Sequence, residues 1–152
     1  HKRSVSTLDE LSQGHFETVI ADYTATEPVK VKRLILCGGK VYYDLLEKHE
    51  QDCISDAAIV RIEQLYPFPE KRLLEVIAEM TELESVVWCQ EEPQNQGAWY
   101  CSQHHMRRVL ADHNPRLYLQ YAGRDAAAAP AAGSMALHVE QQQRLVKDAF
   151  EL

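Results

Sequence analysis

Residues 86–99 read Val86-Val87-Trp88-Cys89-Gln90-Glu91-Glu92-Pro93-Gln94-Asn95-Gln96-Gly97-Ala98-Trp99. The apolar run at the start is short and rich in strand-favouring residues, which predicts a buried strand over residues 86–89. Pro93 ends the strand, since proline donates no backbone hydrogen bond to a ladder. Asn95 and Gly97 tolerate loop conformations, and Asn95 is a candidate cap for the next helix. The stretch therefore predicts a strand, a sharp polar loop and a helix start.

Two adjacent carboxylates, Glu91 and Glu92, lie where this strand ends. In open α/β sheets, ligands and partners gather where strands end and helices begin. The two side chains are neighbours on an extended chain, so they face opposite ways and do not converge on one substrate as a catalytic pair does. We interpret both as loop anchors. General acid–base work is the alternative.

Strands and helices alternate on both sides of this stretch. Apolar runs predict strands over residues 33–37, 57–62, 86–89 and 116–121. Helical spacing predicts helices over residues 41–51, 70–80, 98–111 and 135–150. Ser134 caps the last helix, whose apolar face we expect to carry Met135, Val139, Val146 and Phe150. The alternation predicts parallel strands with helical crossovers, and the more amphipathic fourth strand is expected nearer an edge.

Residues 1–30 differ in character from the rest of the chain. Thr7 is a candidate cap for one or two helical turns that Gly14 closes. A brief extended segment is expected over residues 16–20, and residues 21–30 are polar. We interpret residues 1–30 as a connecting arm that arrives from elsewhere, joined to one α/β domain over residues 31–152.

The composition is that of a globular domain, with 152 residues, 45% hydrophobic and 26% charged. The net charge of −7 argues against nonspecific binding to nucleic acid or to anionic membranes. No apolar run approaches the roughly 18 residues of a membrane span, and the first residues, His1-Lys2-Arg3-Ser4, do not read as a signal peptide. The four cysteines lack a two-residue spacing, which favours a reducing compartment, the cytosol by default.

Gly38-Gly39-Lys40 comes after a predicted strand and precedes a predicted helix. The turn lacks the full glycine-rich fingerprint of a dinucleotide-binding or nucleotide-hydrolysing loop. Two interpretations remain: a tight turn with an exposed lysine, or a phosphate site at a helix N-terminus. Arg124, beside Gly123 after the fourth strand, is the best candidate for a further anion contact. Arg107 and Arg108 are interpreted as surface groups.

Cys101 and His105 stand four residues apart on a predicted helix, a spacing that suits two ligands of one metal. No other cysteine or histidine nearby in sequence completes a ligand set, and His104 points about 100° away from His105. A surface histidine pair is therefore the preferred interpretation. The serines lack a Gly-x-Ser-x-Gly context, so nothing supports a serine hydrolase.

Three motifs resemble a single known family. They run over residues 36–46, 58–69 and 88–99, and the end of the chain also fits, through Tyr121-Ala122-Gly123-Arg124 and the glutamine-rich last helix. Together they are similar to the C-terminal domain of the decarboxylating (first) component of 2-oxoglutarate dehydrogenase. The resemblance covers essentially the whole chain, and three motifs of this length in order are highly specific.

The resemblance implies a transketolase C-terminal-like fold, a three-layer α/β/α domain with a mostly parallel sheet of about five strands. It implies a full enzyme of the tricarboxylic acid cycle that decarboxylates 2-oxoglutarate with thiamine diphosphate and magnesium. That enzyme passes the succinyl group to a lipoyl-bearing succinyltransferase component. The family's Gly-Asp-Gly motif for the metal and diphosphate does not occur here, and the family's activating glutamate belongs to a preceding domain. We therefore expect no catalytic, cofactor-binding or metal-binding residue in this chain.

The resemblance also implies a fragment of a larger polypeptide, with His1 inside a segment that the family continues unbroken. It implies the cytoplasm for a bacterial protein, or the mitochondrial matrix for a eukaryotic one. A free-standing ligand-binding or scaffolding module of the same fold is the alternative.

Two surface roles are implied by the same resemblance. Relatives with this fold form homodimers, and we expect Trp99 and Tyr100 at that interface, with packing on the domain's own sheet as the alternative. Domains of some relatives bind adenine-nucleotide or acyl-coenzyme A effectors. Gly38-Gly39-Lys40 and Arg124 are expected to hold an effector phosphate if their two strand ends lie close together.

Overall fold

The computed structural model describes residues 3–22 and 27–152. Its strands are β1 (Val19–Asp22), β2 (Arg33–Cys37), β3 (Ala57–Ile62), β4 (Ser85–Pro93) and β5 (Leu119–Arg124). Its helices are α1 (Leu8–Gln13), α2 (Val41–Gln51), α3 (Glu70–Ala78), α4 (Trp99–His113) and α5 (Met135–Glu151), with a short 3-10 helix over Pro28–Lys30. The expectation about His1 and part of the polar segment over 21–30 lie outside the described residues.

Five strands form one sheet in the order β1-β3-β2-β4-β5. β2 pairs in parallel with β3 and β4, β4 pairs in parallel with β5, and β1 is antiparallel to β3. Helices α3 and α4 cover one face of the sheet, and α2 and α5 cover the other. The three-layer α/β/α fold with a mostly parallel sheet is thereby confirmed. β5 lies at an edge, as its alternating pattern predicts.

The central strands are apolar throughout because both of their faces are covered. On β2, Leu34 and Leu36 point towards α3 and α4, while Ile35 and Cys37 point towards α2 and α5. All four side chains are fully buried. Burying one leucine or isoleucine contributes about 1.5–3 kcal/mol, so these residues fix the strand in the middle of the three layers.

The sheet takes one of its strands from within residues 1–30. β1 lies at the edge opposite β5, and Val19 packs in the core. The sheet therefore begins at Val19, inside the segment interpreted as the arm and ahead of the expected boundary at residue 30. Ahead of it, Thr7 and Glu10 form the capping box of α1, as the Thr7 signal predicts, and no residue of α1 is buried.

β4 extends further than its apolar run predicts. The strand has nine residues and ends at Pro93, with a register shift against β5 between Cys89 and Pro93. Such an irregularity lets a strand continue past the point where regular pairing stops. β5 spans Leu119–Arg124 rather than 116–121, because its pairing with β4 begins only at the first residue of the observed range.

The loop between β4 and α4 is closed differently from the expectation for Asn95. The cap position of α4 is Ala98, which makes no side-chain capping bond. Asn95 instead donates to the carbonyl of Ala127 and accepts from the backbone nitrogen of the same residue. Asn95 therefore fastens the alanine-rich connector to the loop after β4.

Helix α5 begins at the predicted cap, but only the second half of its expected apolar face is buried. Ser134 accepts a hydrogen bond from the backbone of the first turn. Met135 and Val139 are exposed, whereas Val146 is buried and Phe150 packs against the core, as expected. Leu145 and Ala149 are the other core residues of this helix. The first half of α5 lies at the end of the sheet, where Gln142 contacts the last residue of β5, so apolar residues there have no strand to cover.

Within the described residues, no helix has both the length and the apolar character of a membrane span.

Candidate functional site

The carboxyl edge of the sheet contains the topological switch point of this fold. The connection through α2 leads from β2 to β3, whereas the connection through α3 returns across β2 to β4. The loops after β2 and β4 therefore diverge and leave a crevice between them, which is where ligands and partners bind in open α/β sheets.

We call this cavity the edge crevice. It measures about 290 Å³, and its walls include Gly38-Gly39 after β2 and Glu63 and Leu65 after β3. Glu92 near the end of β4 and Gly97 in the loop before α4 complete them. Trp88 contributes to the floor. The crevice is small for a cofactor site, since ligand pockets run from about 300 to 1,000 Å³.

Gln90 organises the loop beside the crevice. Its side chain is 2% exposed, and its Oε1 accepts hydrogen bonds from Trp88 Nε1 at 2.9 Å and from the backbone nitrogen of Trp99 at 3.0 Å. Its Nε2 lies 3.1–3.2 Å from the carbonyl oxygens of Glu92, Pro93 and Gln96. One carboxamide therefore ties the strand, the turn and the helix start together. Sequence reasoning missed this role; the available signal was a glutamine that ends an apolar strand run.

A second polar network crosses the opposite side of β4. Glu91 Oε1 accepts from Lys40 Nζ at 2.5 Å and from Gln142 Nε2 at 3.0 Å. Gln142 also donates to Asp44 Oδ2 at 2.7 Å, and its Oε1 accepts from Arg124 Nη2 at 3.0 Å. The network joins the ends of β2, β4 and β5 to helices α2 and α5.

The two adjacent glutamates face opposite sides of β4, as their extended backbone predicts. Glu91 belongs to the network around Gln142, whereas Glu92 lines the edge crevice. They do not converge on a common point, so a catalytic carboxylate pair has no geometric support. The contacts of Glu91 support the loop-anchoring interpretation.

Arg124 is almost fully buried, at 6% exposed. Its Nη2 donates to Gln142 and, at 3.0 Å, to His138 Nδ1. Because arginine is always a donor, Nδ1 of His138 must accept, and the proton of the neutral ring then resides on Nε2. The Nε atom of Arg124 has no hydrogen-bond partner among the described residues.

The structure does not bring the four expected phosphate contacts into one cavity. Gly38-Gly39 line the edge crevice, while Arg124 lies two strands away and borders different cavities. Burial opposes the charge of Lys40, but the hydrogen bond and the charge of Glu91, with help from Asp44, raise the pKa of its ammonium. Lys40 is thus already engaged by carboxylates. Effector binding stays a prediction, and the carboxylates around this turn weigh against it.

The expected interface pair separates into one buried and one exposed residue. Trp99 is 6% exposed and packs on Tyr121, with ring centroids 4.9 Å apart. Tyr100 is exposed. Packing on the domain's own sheet, the alternative for Trp99, is what the structure shows.

His105 contacts a carboxylate and an aromatic ring. Its Nδ1 contacts the carboxylate of Glu70, and its ring stacks on Phe68 with centroids 5.1 Å apart. The hydrogen bond from His105 lowers the pKa of Glu70, and Arg108 adds to that effect. In residues 3–22 and 27–152, no three histidine, cysteine or acidic side chains cluster as metal ligands.

The cysteines divide into two buried and two exposed thiols. Cys37 and Cys89 are neighbours on β2 and β4 and are fully buried, whereas Cys53 and Cys101 are exposed. Burial raises the pKa of the Cys37 thiol and raises that of Cys89 to about 12. Since the thiolate is the nucleophile, the buried pair is inert.

We therefore expect an aromatic disulfide reagent to modify only Cys53 and Cys101 in the native protein at about pH 8. Denaturation in guanidinium should release all four cysteines for reaction. The measurement is the absorbance of the released thiolate before and after unfolding. Reaction of three or four thiols at similar rates in the native protein would contradict the assigned burial.

The fold defines the class first. A solved structure entitled "Split gene transketolase, inactive beta4 tetramer" superposes on this chain with a TM-score of 0.55 at 18% sequence identity. The match covers 82% of this chain and 40% of that chain. With the mostly parallel five-stranded sheet between helix layers, this likeness shows an α/β domain of the transketolase C-terminal type.

The sequence then identifies the family. The family described as "2-oxoglutarate dehydrogenase C-terminal" matches residues 5–150. The chain is 60% identical over 150 residues to a 2-oxoglutarate dehydrogenase E1 component of Azotobacter vinelandii, and 49% identical over 150 residues to that of Haemophilus influenzae. Each match covers 99% of this chain and 16% of the relative. The chain belongs to the 2-oxoglutarate dehydrogenase C-terminal family, and it spans about a sixth of the length of these relatives.

Proposed function

We propose that this chain is the C-terminal structural and dimerisation domain of a thiamine diphosphate-dependent 2-oxoglutarate dehydrogenase subunit. The observation that carries the proposal is the 60% identity to an E1 component over 99% of the chain. The full subunit would decarboxylate 2-oxoglutarate and transfer the succinyl group to a lipoyl-bearing partner component, in the cytoplasm of a bacterium. The rest of the subunit and a second copy are its further partners.

The residues of the edge crevice do not fit the diphosphate group of thiamine diphosphate. The switch-point crevice, where a diphosphate would bind in this type of sheet, carries Glu63 and Glu92 on its walls. Carboxylates there repel a diphosphate, and the nearest lysine, Lys40, is held by Glu91 and Asp44 on the other side of β4. The chemistry of the cofactor is therefore assigned to another part of the subunit.

The coding sequence upstream of the codon for His1 is the direct test. A continuous reading frame that encodes a Gly-Asp-Gly motif supports a catalytic domain on the same polypeptide. A start codon at this position would instead favour the rival function, a free-standing ligand-binding or scaffolding module.

The first part of the arm supports an attachment to the rest of the subunit. Four apolar side chains there are more than half exposed, Val5, Leu8, Leu11 and Phe16. A helix of six residues is too short to persist without packing, so α1 requires a covering surface. The double variant Leu8→Ser/Leu11→Ser should leave the free energy of unfolding of this chain unchanged. In the full subunit, the same variant should make the arm more susceptible to proteolysis. Equal protease resistance of the wild-type and variant full-length subunits would refute the attachment.

Tyr100 is the residue that we assign to the dimer interface. It is 57% exposed at the first turn of α4, and tyrosine is enriched in the cores of interfaces. In the full subunit, Tyr100→Ala should weaken the dimer by about tenfold or more, a loss typical of an interface anchor. Sedimentation equilibrium measures this, with Tyr118→Ala, another exposed tyrosine, as the control. An unchanged dimerisation constant would remove Tyr100 from the interface.

A further inference from the structure

The edge crevice has an acidic rim over an apolar floor. Its two charged wall residues are carboxylates, Glu63 and Glu92, and no basic residue lines it. Glu63 makes one long ion pair, at 3.6 Å, with Arg61. The carboxylate of Glu92 has no hydrogen-bond or ion-pair partner within the described parts of the chain. An exposed, unpaired carboxylate over the apolar floor formed by Trp88 and Ile62 favours a ligand with a charged head and an apolar stem.

Backbone oxygen adds a further acceptor to the crevice. The carbonyl of Ile62 lies 3.4 Å from the point where a Cβ on Gly38 would stand. Ile62 itself lines the crevice, and Gly38 places no side chain beside that oxygen. A guanidinium carries five donors and no acceptor, and an ammonium carries three donors. Arginine or lysine therefore matches the crevice in charge and in hydrogen-bonding capacity.

A rigid apolar turn stands beside the crevice. Leu65 is 43% exposed and Tyr66 is 91% exposed, although both are large apolar side chains. Gln64 Nε2 donates to the carbonyl of Pro67 at 2.6 Å and closes the turn on itself. The hydrogen bond restrains the backbone of the turn on which Tyr66 stands, and an exposed tyrosine is a typical interface anchor.

The geometry points to a docking site for a basic segment of the same polypeptide: an arginine or lysine enters the edge crevice between Glu63 and Glu92, and neighbouring residues of that segment pack on Leu65 and Tyr66. A basic segment complements the acidic rim, whereas this chain has an acidic excess, with a net charge of −7. Length indicates the source, because the relatives are about six times as long as this chain. The docking therefore rests on the proposed function, that of one domain in a longer subunit.

Photo-cross-linking in the full-length subunit identifies the occupant. The variant Tyr66→p-benzoylphenylalanine keeps an aromatic ring at a position that makes almost no contact within this domain. We expect a cross-link to a segment of the same polypeptide that carries an arginine or lysine. The double variant Glu63→Gln/Glu92→Gln should lower the yield of this cross-link by about fivefold or more, and a fivefold change corresponds to about 1 kcal/mol.

Tyr118→p-benzoylphenylalanine is the matched control. Tyr118 is likewise an exposed tyrosine. It precedes the outer strand β5, whereas the crevice lies beyond the carboxyl ends of the inner strands, so it should not capture the same segment. Cross-links from position 66 only to a second copy, to a segment without a basic residue, or to nothing would overturn the docking site. So would a yield that the two glutamines leave unchanged. Decarboxylation by the same samples reports separately on the proposed function, so an active subunit without the cross-link rejects the docking alone.

Discussion

Gln90→Leu should lower the free energy of unfolding of this domain by about 3–5 kcal/mol. Leucine preserves the volume of the side chain but leaves Trp88 Nε1 and the backbone nitrogen of Trp99 without their acceptor. It also removes the donor that closes the loop before α4. Each buried polar group that loses its partner costs about 1–3 kcal/mol, and these losses occur together.

Urea unfolding of the wild-type protein and the variant measures the effect. The slope of the free energy of unfolding against urea concentration should stay unchanged, which shows that only the stability differs. Gln51→Leu is the control, because the side chain of Gln51 is exposed on α2 and bonds only Glu47; its effect should stay within about 0.5 kcal/mol. A loss below about 1 kcal/mol for Gln90→Leu would mean that the carboxamide does not organise the loop.

Gly97→Val should have the second-largest effect, a loss of about 2–4 kcal/mol. Gly97 has a φ of 59°, in the left-handed region that a β-branched residue rarely adopts. A Cβ at this position would stand 3.0 Å from Gln90 Nε2, from Glu92 Cβ and from Glu92 Oε2. The substitution therefore adds backbone strain and displaces the carboxamide that closes the loop.

Two other glycines separate these causes. Gly39 has a φ of 71° and nothing within 4 Å of an added Cβ, so Gly39→Val measures the strain alone. Gly133 has neither a positive φ nor a neighbour within 4 Å, so Gly133→Val should be nearly neutral. We expect the losses to rank Gly97 above Gly39 above Gly133. Equal losses at Gly97 and Gly39 would show that the close contacts contribute nothing.

The interior elements were predictable from local sequence. α2 and β3 have the predicted bounds, 41–51 and 57–62, because apolar runs and glycine turns delimit elements that are buried on the sheet. α5 shows the limit of this reasoning. Helical period places Met135 and Val139 on an apolar face, but burial depends on where the sheet ends, which is a tertiary property.

The polar organisation of the carboxyl edge was not predictable in the same way. Gln142 and Asp44 are 98 residues apart in sequence and meet only because α2 and α5 cover the same face of the sheet. Gln90 stands in the sequence as an ordinary glutamine after an apolar run, and its burial results from the loop that folds over it. Gly38-Gly39 and Arg124 border different cavities for a related reason: β4 lies between β2 and β5.

The release of carbon dioxide from 2-oxoglutarate tests the central claim most directly. The purified chain, supplied with thiamine diphosphate, magnesium and 2-oxoglutarate, is compared with the full-length subunit under the same conditions. We predict turnover by the full-length subunit and none above background by this chain alone, because its residues provide no site for the cofactor. Turnover by the chain alone would contradict its assignment as a non-catalytic C-terminal domain.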